Sequence, residues 1–436
     1  MDIRELIDSS RMTGFQWFII AIALFINALD GYDMVAMAFA STAVTEQFAL
    51  TGGQLGWLLS SALIGIGLGS LFLAPLADRF GRRLLITLSL SIDLAGLVLT
   101  ALAPSFGVLL ASRALTGVGV GGILAGITVL VSEYSNLRFR GLAMAIYACG
   151  YGLGASLCGV VAGRYIPTQG WEIIFWVGAA LSALALVLTI AFIPESPDFL
   201  ATRGRLDKVR AVAARLGHGA DVHVAPRNHA AQGSFKDLLA PQFRATTIKI
   251  WIGFTLVMFA FTFANQWTPQ LLTEAGLTAE QGILGGIMLS FGGTIGAIVF
   301  GVISTKIDSR PLLVAFSLAS ALVLVGFFLA ASTPSLMFTL GVAVGLFLNA
   351  CVSGLYTVTP EAYPSAIRTT GVGTTLAVGR AGAILSPILA GYLLDAGWTP
   401  GALYTGAAVA VALAAVALIG VKAYSAEPTE RQPVAA

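Results

Sequence analysis

The segment EYSNLRFRG, residues 133–141, follows a long apolar run and has a counterpart, EAYPSAIRTTG, at residues 361–371. In both segments, six residues separate a glutamate from an arginine. The pairs are Glu133 with Arg140 and Glu361 with Arg368. Corresponding residues lie 228 positions apart, so the repeat predicts a chain built from two related halves.

A second repeat has almost the same spacing. The segment APLADRFGRR, residues 74–83, resembles GVISTKIDSR, residues 301–310, at an offset of 227 positions. The matched basic positions are Arg79 with Lys306 and Arg83 with Arg310. Two independent matches at nearly one offset strengthen the prediction of two halves.

The composition places both halves in a membrane. Of the 436 residues, 57% are hydrophobic and only 11% are charged, whereas soluble domains carry about 25% charged residues. The net charge of +2 gives no indication of nucleic-acid binding. The odd number of cysteines, all in apolar stretches, indicates neither a disulfide framework nor a metal site.

Apolar runs of ~20 residues are long enough to cross a ~30 Å hydrocarbon core, and twelve such runs are present. We call them spans 1 to 12 and predict them at residues 15–39, 54–77, 84–103, 106–132, 141–165, 171–193, 247–270, 281–304, 311–331, 335–358, 369–394 and 400–423. The predicted fold class is an all-α integral membrane protein with two pseudo-symmetric halves of six helices. The predicted divisions are residues 1–200, a linker at 201–246, residues 247–424 and a tail at 425–436.

Basic residues orient the spans. All but three of the 24 lysines and arginines fall on the side that holds both termini; the exceptions are Arg164 on the opposite side and Arg113 and Arg380 inside spans. Positive charge concentrates on the cytoplasmic side of membrane proteins, so both termini are predicted to be cytoplasmic. Three linker histidines, His218, His223 and His229, are interpreted as solvated loop residues, not metal ligands.

Several motifs carry a family resemblance. APLADRFGRRLL, residues 74–85, resembles the signature loop of the major facilitator superfamily, with Ala74 in place of its leading glycine. SRALTGVGVGG, residues 112–122, resembles the fourth-helix motif of that superfamily. DGYD, residues 30–33, together with LADRFGRR, SEY and VGRAGAIL, resembles the bacterial aromatic acid:proton symporters.

This resemblance implies a function. It implies import of an aromatic carboxylate such as a hydroxybenzoate with a proton, by alternating access of a site between the halves, as expected for a parallel repeat. The resemblance also implies a monomer in the lipid bilayer of a bacterial inner membrane. We expect no cofactor other than the coupling proton, no catalytic or metal site and no nucleic-acid partner. IPESPDFL, residues 193–200, and the Glu-x6-Arg pairs also fit a carrier of a sugar or a non-aromatic organic acid. A receptor that binds without transporting is a further alternative, and an enzyme fits least.

The loop after span 2 is expected to control conformation. Gly81 permits a backbone conformation that other residues resist. Asp78 is expected to face Thr369 and Thr370 at the start of span 11, where the helix dipole favours a carboxylate, and to latch the outward-open state. The predicted gating set is Asp78, Arg79, Gly81, Arg82, Arg83, Glu133, Arg140, Glu361 and Arg368. The alternative is that the loop arginines only orient the protein.

Glycines in span 4, GVGVGG at residues 117–122, resemble a dinucleotide-binding loop only superficially, because that loop follows a strand. Inside an apolar helix, small residues let neighbouring helices approach closely. Close helix packing is therefore predicted.

Charged residues inside the spans indicate function, because they are costly at membrane depth. Asp30 and Asp33 share one face of span 1, and Arg113 in span 4 lies at a similar depth. Two neighbouring carboxylates raise each other's proton affinity and the arginine lowers it, so the predicted proton-coupling set is Asp30, Asp33 and Arg113. A purely structural charge cluster is the alternative. Asp93 in span 3 receives no role.

Arg380, near the middle of span 11, has no acid in its own segment, and a guanidinium can grip a carboxylate bidentately. It is predicted to bind the substrate carboxylate, although an acid on another helix is an alternative partner. An aromatic ring also needs apolar walls and a few polar contacts. The other predicted substrate-binding residues are Asn27, Tyr147, Tyr151, Trp267, Asn349 and Tyr356.

Overall fold

The computed structural model describes residues 3–205, 207, 209–210, 214, 235–330, 333–421 and 424, with the side chains of 3–5, 78, 334, 365, 366 and 369 set aside. Most of the predicted linker, including its three histidines, and the tail from residue 425 lie outside this description.

Within the described residues, twelve helices are long and apolar enough to cross a membrane, as predicted. Spans 1 to 12 are Gly14–Phe48, Gly52–Phe72, Arg82–Ala101, Phe106–Tyr134, Arg140–Gln169, Glu172–Phe192, Pro241–Glu274, Ala279–Ser304, Ser309–Leu329, Pro334–Glu361, Ser365–Asp395 and Pro400–Leu418. We call the membrane face at the start of span 1 the terminal face and the opposite one the distal face.

Span 1 runs nine residues past its predicted end, from 39 to Phe48. It begins with a capping box between Thr13 and Gln16, and it ends where Ala49 adopts a left-handed conformation. The apolar pattern locates only the stretch that matches lipid thickness. The caps, not the lipid, therefore set the helix ends.

The packing of the first half is repeated in the second. Span 1 packs on span 5, span 2 on span 4, and span 3 on spans 4 and 6. In the second half, span 7 packs on span 11, span 8 on span 10, and span 9 on spans 10 and 12. Between the halves, span 2 meets span 11, span 5 meets span 8, and span 1 meets span 7. The predicted two-fold repeat is therefore present in three dimensions.

The glycines of span 4 pack the first half closely. A Cβ on Gly117 would lie 2.0 Å from the carbonyl oxygen of Ala62 in span 2. A Cβ on Gly119 would lie 2.6 Å from the backbone nitrogen of Asp93 in span 3. The predicted packing role is confirmed, because a larger residue would separate these helices.

Equivalent ion pairs mark the repeat at the terminal face. Arg82 Nε lies 3.8 Å from Glu133 Oε1 in the first half. In the second, Arg310 Nη2 lies 2.6 Å from Glu361 Oε2. Both members of the second pair follow those of the first by 228 positions. The alignment of Arg83 with Arg310 at 227 is therefore one residue out of register with these contacts.

Candidate functional site

The turn between spans 2 and 3 depends on Gly81. Its φ of 105° is one that side chains disfavour, and a Cβ there would lie 2.2 Å from Glu195 Oε2. The Glu195 carboxylate accepts hydrogen bonds from the backbone nitrogens of Arg82 (2.7 Å) and Arg83 (3.1 Å). Glu195 thus caps span 3, a role that the sequence analysis did not assign to it.

The predicted latch joins Asp78 to span 11, and the side chains of Asp78 and Thr369 lie outside the described part of the chain. It stays a prediction. Other members of the gating set have contacts within their own half. Arg83 donates to the carbonyl of Ile190 (2.6 Å), and Arg203 donates to that of Arg79 (2.7 Å).

The arginines of the Glu-x6-Arg repeats have separate partners. Arg140 forms an ion pair with Asp8 before span 1. Arg368 Nε donates to the carbonyl oxygen of Tyr363 at 3.3 Å. Glu133 accepts from the Ser196 hydroxyl in addition to its contact with Arg82. These contacts tie loops of one half together.

The halves meet directly at the distal face. Asp395, at the end of span 11, accepts hydrogen bonds from the backbone nitrogens of Gly52 (2.6 Å) and Gly53 (2.7 Å) at the start of span 2. A carboxylate at a helix N-terminus is favoured by unpaired N–H groups and the helix dipole. Trp57 Nε1 also donates to the Tyr392 hydroxyl (3.2 Å). These bonds join the two halves at the distal face.

Asp395→Asn is expected to shift the protein about tenfold towards a distal-open state. The amide accepts at one atom only, so one charge-assisted hydrogen bond worth about 1.5 kcal/mol is lost. Spin-label distances between the distal loops of the two halves measure the shift. Glu274→Gln is the matched control, because Glu274 is also at the distal face but accepts from Gln270 of its own helix. Equal distance distributions in both variants would refute a latch at Asp395.

A buried ion pair joins spans 1 and 4. Arg113 Nη1 donates to Asp33 Oδ1 (2.6 Å) and Nη2 to Oδ2 (3.1 Å), a bidentate geometry. Arg113 is 1% exposed and Asp33 4%. The guanidinium also lies over the Phe175 ring, 5.4 Å from its centroid. The structure brings these predicted residues together, with Asp33 rather than Asp30 as the partner of the arginine.

Asp30 lies one turn away in a different setting. It is 8% exposed, and its Oδ1 has no hydrogen-bond partner within the part of the chain described. The charges of Asp33 and Arg380 both act on it. Gly31 allows span 5 to lie close to span 1 at this point, since a Cβ on Gly31 would lie 1.9 Å from the carbonyl oxygen of Tyr151 in span 5. The DGYD motif thus places two acids where span 1 packs closely against span 5.

Arg380 lies where the halves meet. Its Nη1 donates to the Ser70 hydroxyl (3.1 Å) and the carbonyl oxygen of Ile66 (3.4 Å), both on span 2. These partners are neutral. Its charge also acts on Asp30 in span 1 and on Tyr356 in span 10. The guanidinium of Arg380, in the second half, therefore hydrogen-bonds to the first half and acts electrostatically on residues of both halves.

A cavity of about 380 Å³ lies between the halves. It is lined mainly by apolar residues of spans 1, 5, 7, 8 and 10. The polar or reactive side chains in its wall are Cys149, Tyr151, Asn265, Ser290, Thr294 and Asn349. Tyr151 and Asn349 were predicted substrate residues. An apolar space with a few polar groups suits a small ring.

The remaining predicted substrate residues are divided. Tyr147 lies within the field of Asp30, and Tyr356 is half exposed near Arg380. Asn27 instead donates to the carbonyl oxygen of Tyr147 at 2.8 Å, which fixes span 1 to span 5. Trp267 is fully buried and donates to the carbonyl oxygen of Pro387 at 3.3 Å. Asn27 and Trp267 pack helices together in this conformation.

Sequence reasoning missed Asn265, Ser290 and Thr294, because single polar residues in a span carry no motif. The one signal available was the helical spacing of Ser290 and Thr294, which are one turn apart on span 8. It also missed the setting of Asp93. This acid is 3% exposed, and its Oδ2 accepts a hydrogen bond from Ser182 at 2.7 Å.

Comparison with known proteins identifies the family. The sequence model of the Major Facilitator Superfamily matches residues 20–338 and 290–435. The chain belongs to the Major Facilitator Superfamily. It is therefore a transporter and not an enzyme, and the predicted fold class and family resemblance are confirmed.

Curated relatives match nearly the whole chain. The 4-hydroxybenzoate transporter PcaK of Pseudomonas aeruginosa is 30% identical over 429 residues, which cover 96% of this chain and 95% of that protein. The gallate transporter of Pseudomonas putida is 29% identical, covering 96% and 94%. The 3-(3-hydroxy-phenyl)propionate transporter of Escherichia coli is 30% identical, covering 89% and 92%.

Solved structures support the fold. The crystal structure of a D-xylose-proton symporter aligns with a TM-score of 0.73 at 18% identity, covering 94% of this chain and 98% of that one. The inward-open xylose transporter XylE of E. coli gives a TM-score of 0.72 at 19% identity, covering 92% and 95%. At this identity the likeness concerns the fold alone.

Proposed function

We propose that this transporter imports an aromatic carboxylate of the hydroxybenzoate type together with a proton. The observation that carries the proposal is Arg380, a guanidinium between the halves that hydrogen-bonds to neutral oxygens of span 2. A substrate carboxylate offers it a stronger, charge-assisted partner. The names of the relatives, which transport 4-hydroxybenzoate, gallate and a hydroxyphenyl propionate, support an aromatic acid.

Coupling to a proton follows from the position of Asp30. This carboxylate competes with the substrate carboxylate for the positive charge of Arg380, because the charges of Asp30 and Arg380 act on each other. A proton on Asp30 ends that competition and leaves Arg380 to the substrate. Proton and substrate therefore favour each other's binding, which is the thermodynamic basis of symport.

The ring is proposed to occupy the cavity between the halves. Tyr151 links the two sites, since it lines the cavity and lies within the field of Asp30. The polar groups of spans 7, 8 and 10 then face the edge of the ring that is remote from Arg380. The carboxylate and the ring thus contact both halves, as alternating access requires.

We further propose that the terminal face is cytoplasmic, in a bacterial inner membrane, and that the monomer is the functional unit. The excess of lysine and arginine on this face supports the orientation. The divisions at residues 200, 246 and 424 and the Asp78 latch remain part of the proposal.

Uptake into proteoliposomes tests this function. We expect the protein to accumulate labelled 4-hydroxybenzoate, but not glucose, when the outside is acidic. Asp30→Asn is expected to retain exchange of substrate across the membrane while losing at least tenfold in accumulation driven by the pH difference. Accumulation of glucose alone would show that the substrate is a sugar and not an aromatic acid. Undiminished accumulation by Asp30→Asn would remove the proton role of that residue.

A further inference from the structure

Asp93 is a buried acid that the mechanism above does not use. It lies on span 3, against spans 4 and 6, and Ser182 of span 6 donates to its Oδ2. Its Oδ1 is buried without a hydrogen-bond partner in the described residues. A carboxylate in this position is costly unless it is protonated or faces a cation.

Arg113, the cation whose charge acts on Asp93, already forms an ion pair with another acid. Arg113 acts on Asp93 electrostatically but donates through both terminal nitrogens to Asp33. Its remaining donor, Nε, is buried and likewise has no partner among the residues described. An acceptor on Asp93 and a donor on Arg113, on adjacent helices, are thus both unsatisfied.

The other charged groups whose fields reach Asp93 are Asp30 and Asp33 of span 1. Span 6 contributes the Ser182 hydroxyl, and its one titratable residue, Glu172, is at its distal end. The described cluster around Asp93 therefore holds three acids and the guanidinium of Arg113, which can neutralise only one of them at a time.

Asp93 lies closer to the terminal face than Arg113 does. Its backbone nitrogen packs against Gly119, which is six residues, or about 9 Å of helix, beyond Arg113 towards that face. Two further polar groups lie beyond it. Ser89 is one turn closer to the terminal face on span 3, and Thr189 is two turns beyond Ser182 on span 6. Both hydroxyls are buried and unpartnered in the chain as described.

We propose that Asp93 is the acid that releases the coupling proton towards the terminal face. Arg113 then acts as a counterion shared between Asp33 and Asp93. While Arg113 pairs with Asp33, Asp93 holds a proton. When Asp33 takes up the coupling proton from Asp30, one turn away on span 1, the guanidinium turns to Asp93, which releases its own proton towards Ser89, Thr189 and the terminal face. The cycle closes when the proton on Asp33 passes to Asp93 and Arg113 returns.

This relay conserves protons, since each cycle takes up one at Asp33 and releases one from Asp93. It rests on the proposed proton symport, but it concerns a different step: release within the first half rather than competition at Arg380. Asp93 is a positioning and proton-carrying residue that does not touch the substrate.

The test compares two activities of one purified protein in proteoliposomes. Asp93→Asn is expected to exchange 4-hydroxybenzoate within about twofold of wild type, because exchange needs no net proton release, and to lose at least tenfold in accumulation driven by an acidic outside. Asp93→Glu is expected to recover part of the accumulation. Accumulation by Asp93→Asn like that of wild type, or an equal loss of both activities, would overturn the relay.

A milder variant keeps the test decisive if Asp93→Asn does not fold. Ser182→Ala retains the Asp93 carboxyl group and removes its donor, so we expect the pH at half-maximal uptake to move while exchange is unchanged. Ser91→Ala on the exposed side of span 3 is the control, because its hydroxyl donates to the carbonyl oxygen of Thr87 in the same helix. An unchanged pH profile in Ser182→Ala would contradict the relay. If wild type itself fails to accumulate the acid, the proposed symport fails instead.

Discussion

Arg380→Ala is expected to weaken binding of an aromatic carboxylate about 30-fold or more. Truncating one partner of a desolvated charge pair costs about 2–5 kcal/mol, and each 1.4 kcal/mol is tenfold in affinity. The loss is large because Arg380 hydrogen-bonds to neutral oxygens of Ser70 and Ile66, so that the substrate carboxylate is the charged acceptor that it gains on binding. A neutral ring analogue such as benzamide lacks the carboxylate, so its binding is expected to change little.

Cys149 provides a direct readout of binding. It lines the cavity and is exposed, whereas Cys158 and Cys351, the other cysteines of the chain, are buried. Bound acid is expected to slow alkylation of Cys149 by a maleimide, and the concentration dependence of this protection gives the affinity. In Arg380→Ala, protection by 4-hydroxybenzoate is expected only at concentrations at least 30-fold higher.

Arg380→Lys and Ser70→Ala are the matched controls. Lysine keeps the charge but loses the bidentate geometry, so an intermediate affinity is expected. Ser70→Ala removes one hydrogen bond of Arg380 but leaves its charge and its contact with the carbonyl oxygen of Ile66, so the affinity is expected to change much less than in Arg380→Ala. If 4-hydroxybenzoate protects Cys149 of Arg380→Ala from alkylation at the same concentration as in wild type, the substrate carboxylate does not bind at Arg380.

Long-range patterns of the sequence predicted the fold. Twelve apolar runs and the repeats at Glu133 and Glu361 are enough to give two six-helix halves, because lipid thickness restricts what a spanning segment can be. Helix ends were predicted less well. The left-handed cap at Ala49 and the capping box at Thr13 are local devices that an apolar count does not register.

The candidate site was predicted from charged residues that lie inside apolar spans. Arg380, Asp30 and Arg113 stood out in this way, and the structure places each beside other helices. Sequence distance could not tell which acid Arg113 would bind, because Asp30 and Asp33 are one turn apart and the side-chain direction decides. For Trp267 the sequence left two roles open, because an aromatic residue in a span fits packing as well as binding; in the structure it is fully buried, and its binding role stays a prediction.

The double variant Asp33→Asn/Asp93→Asn is expected to be about 3–5 kcal/mol less stable than wild type, and far less stable than either single variant. It leaves Arg113, which cannot lose its proton in a protein, buried without either carboxylate, and breaking a buried pair from one side has about this cost. In each single variant one acid remains to face the guanidinium, so the two effects are expected not to add. Thermal unfolding in detergent measures the stability of all three.

Adding Arg113→Gln to the double variant supplies the control. With no charge left on these three side chains, most of the lost stability is expected to return, because neutral groups can replace a buried ion pair at little cost in free energy when both sides are changed. Proton-driven accumulation is not expected to return with it, since neither introduced amide carries a proton. If the triple variant stays as unstable as the double, the loss arises from altered packing at positions 33 and 93 and not from an unpaired guanidinium, and Arg113 is not a shared counterion.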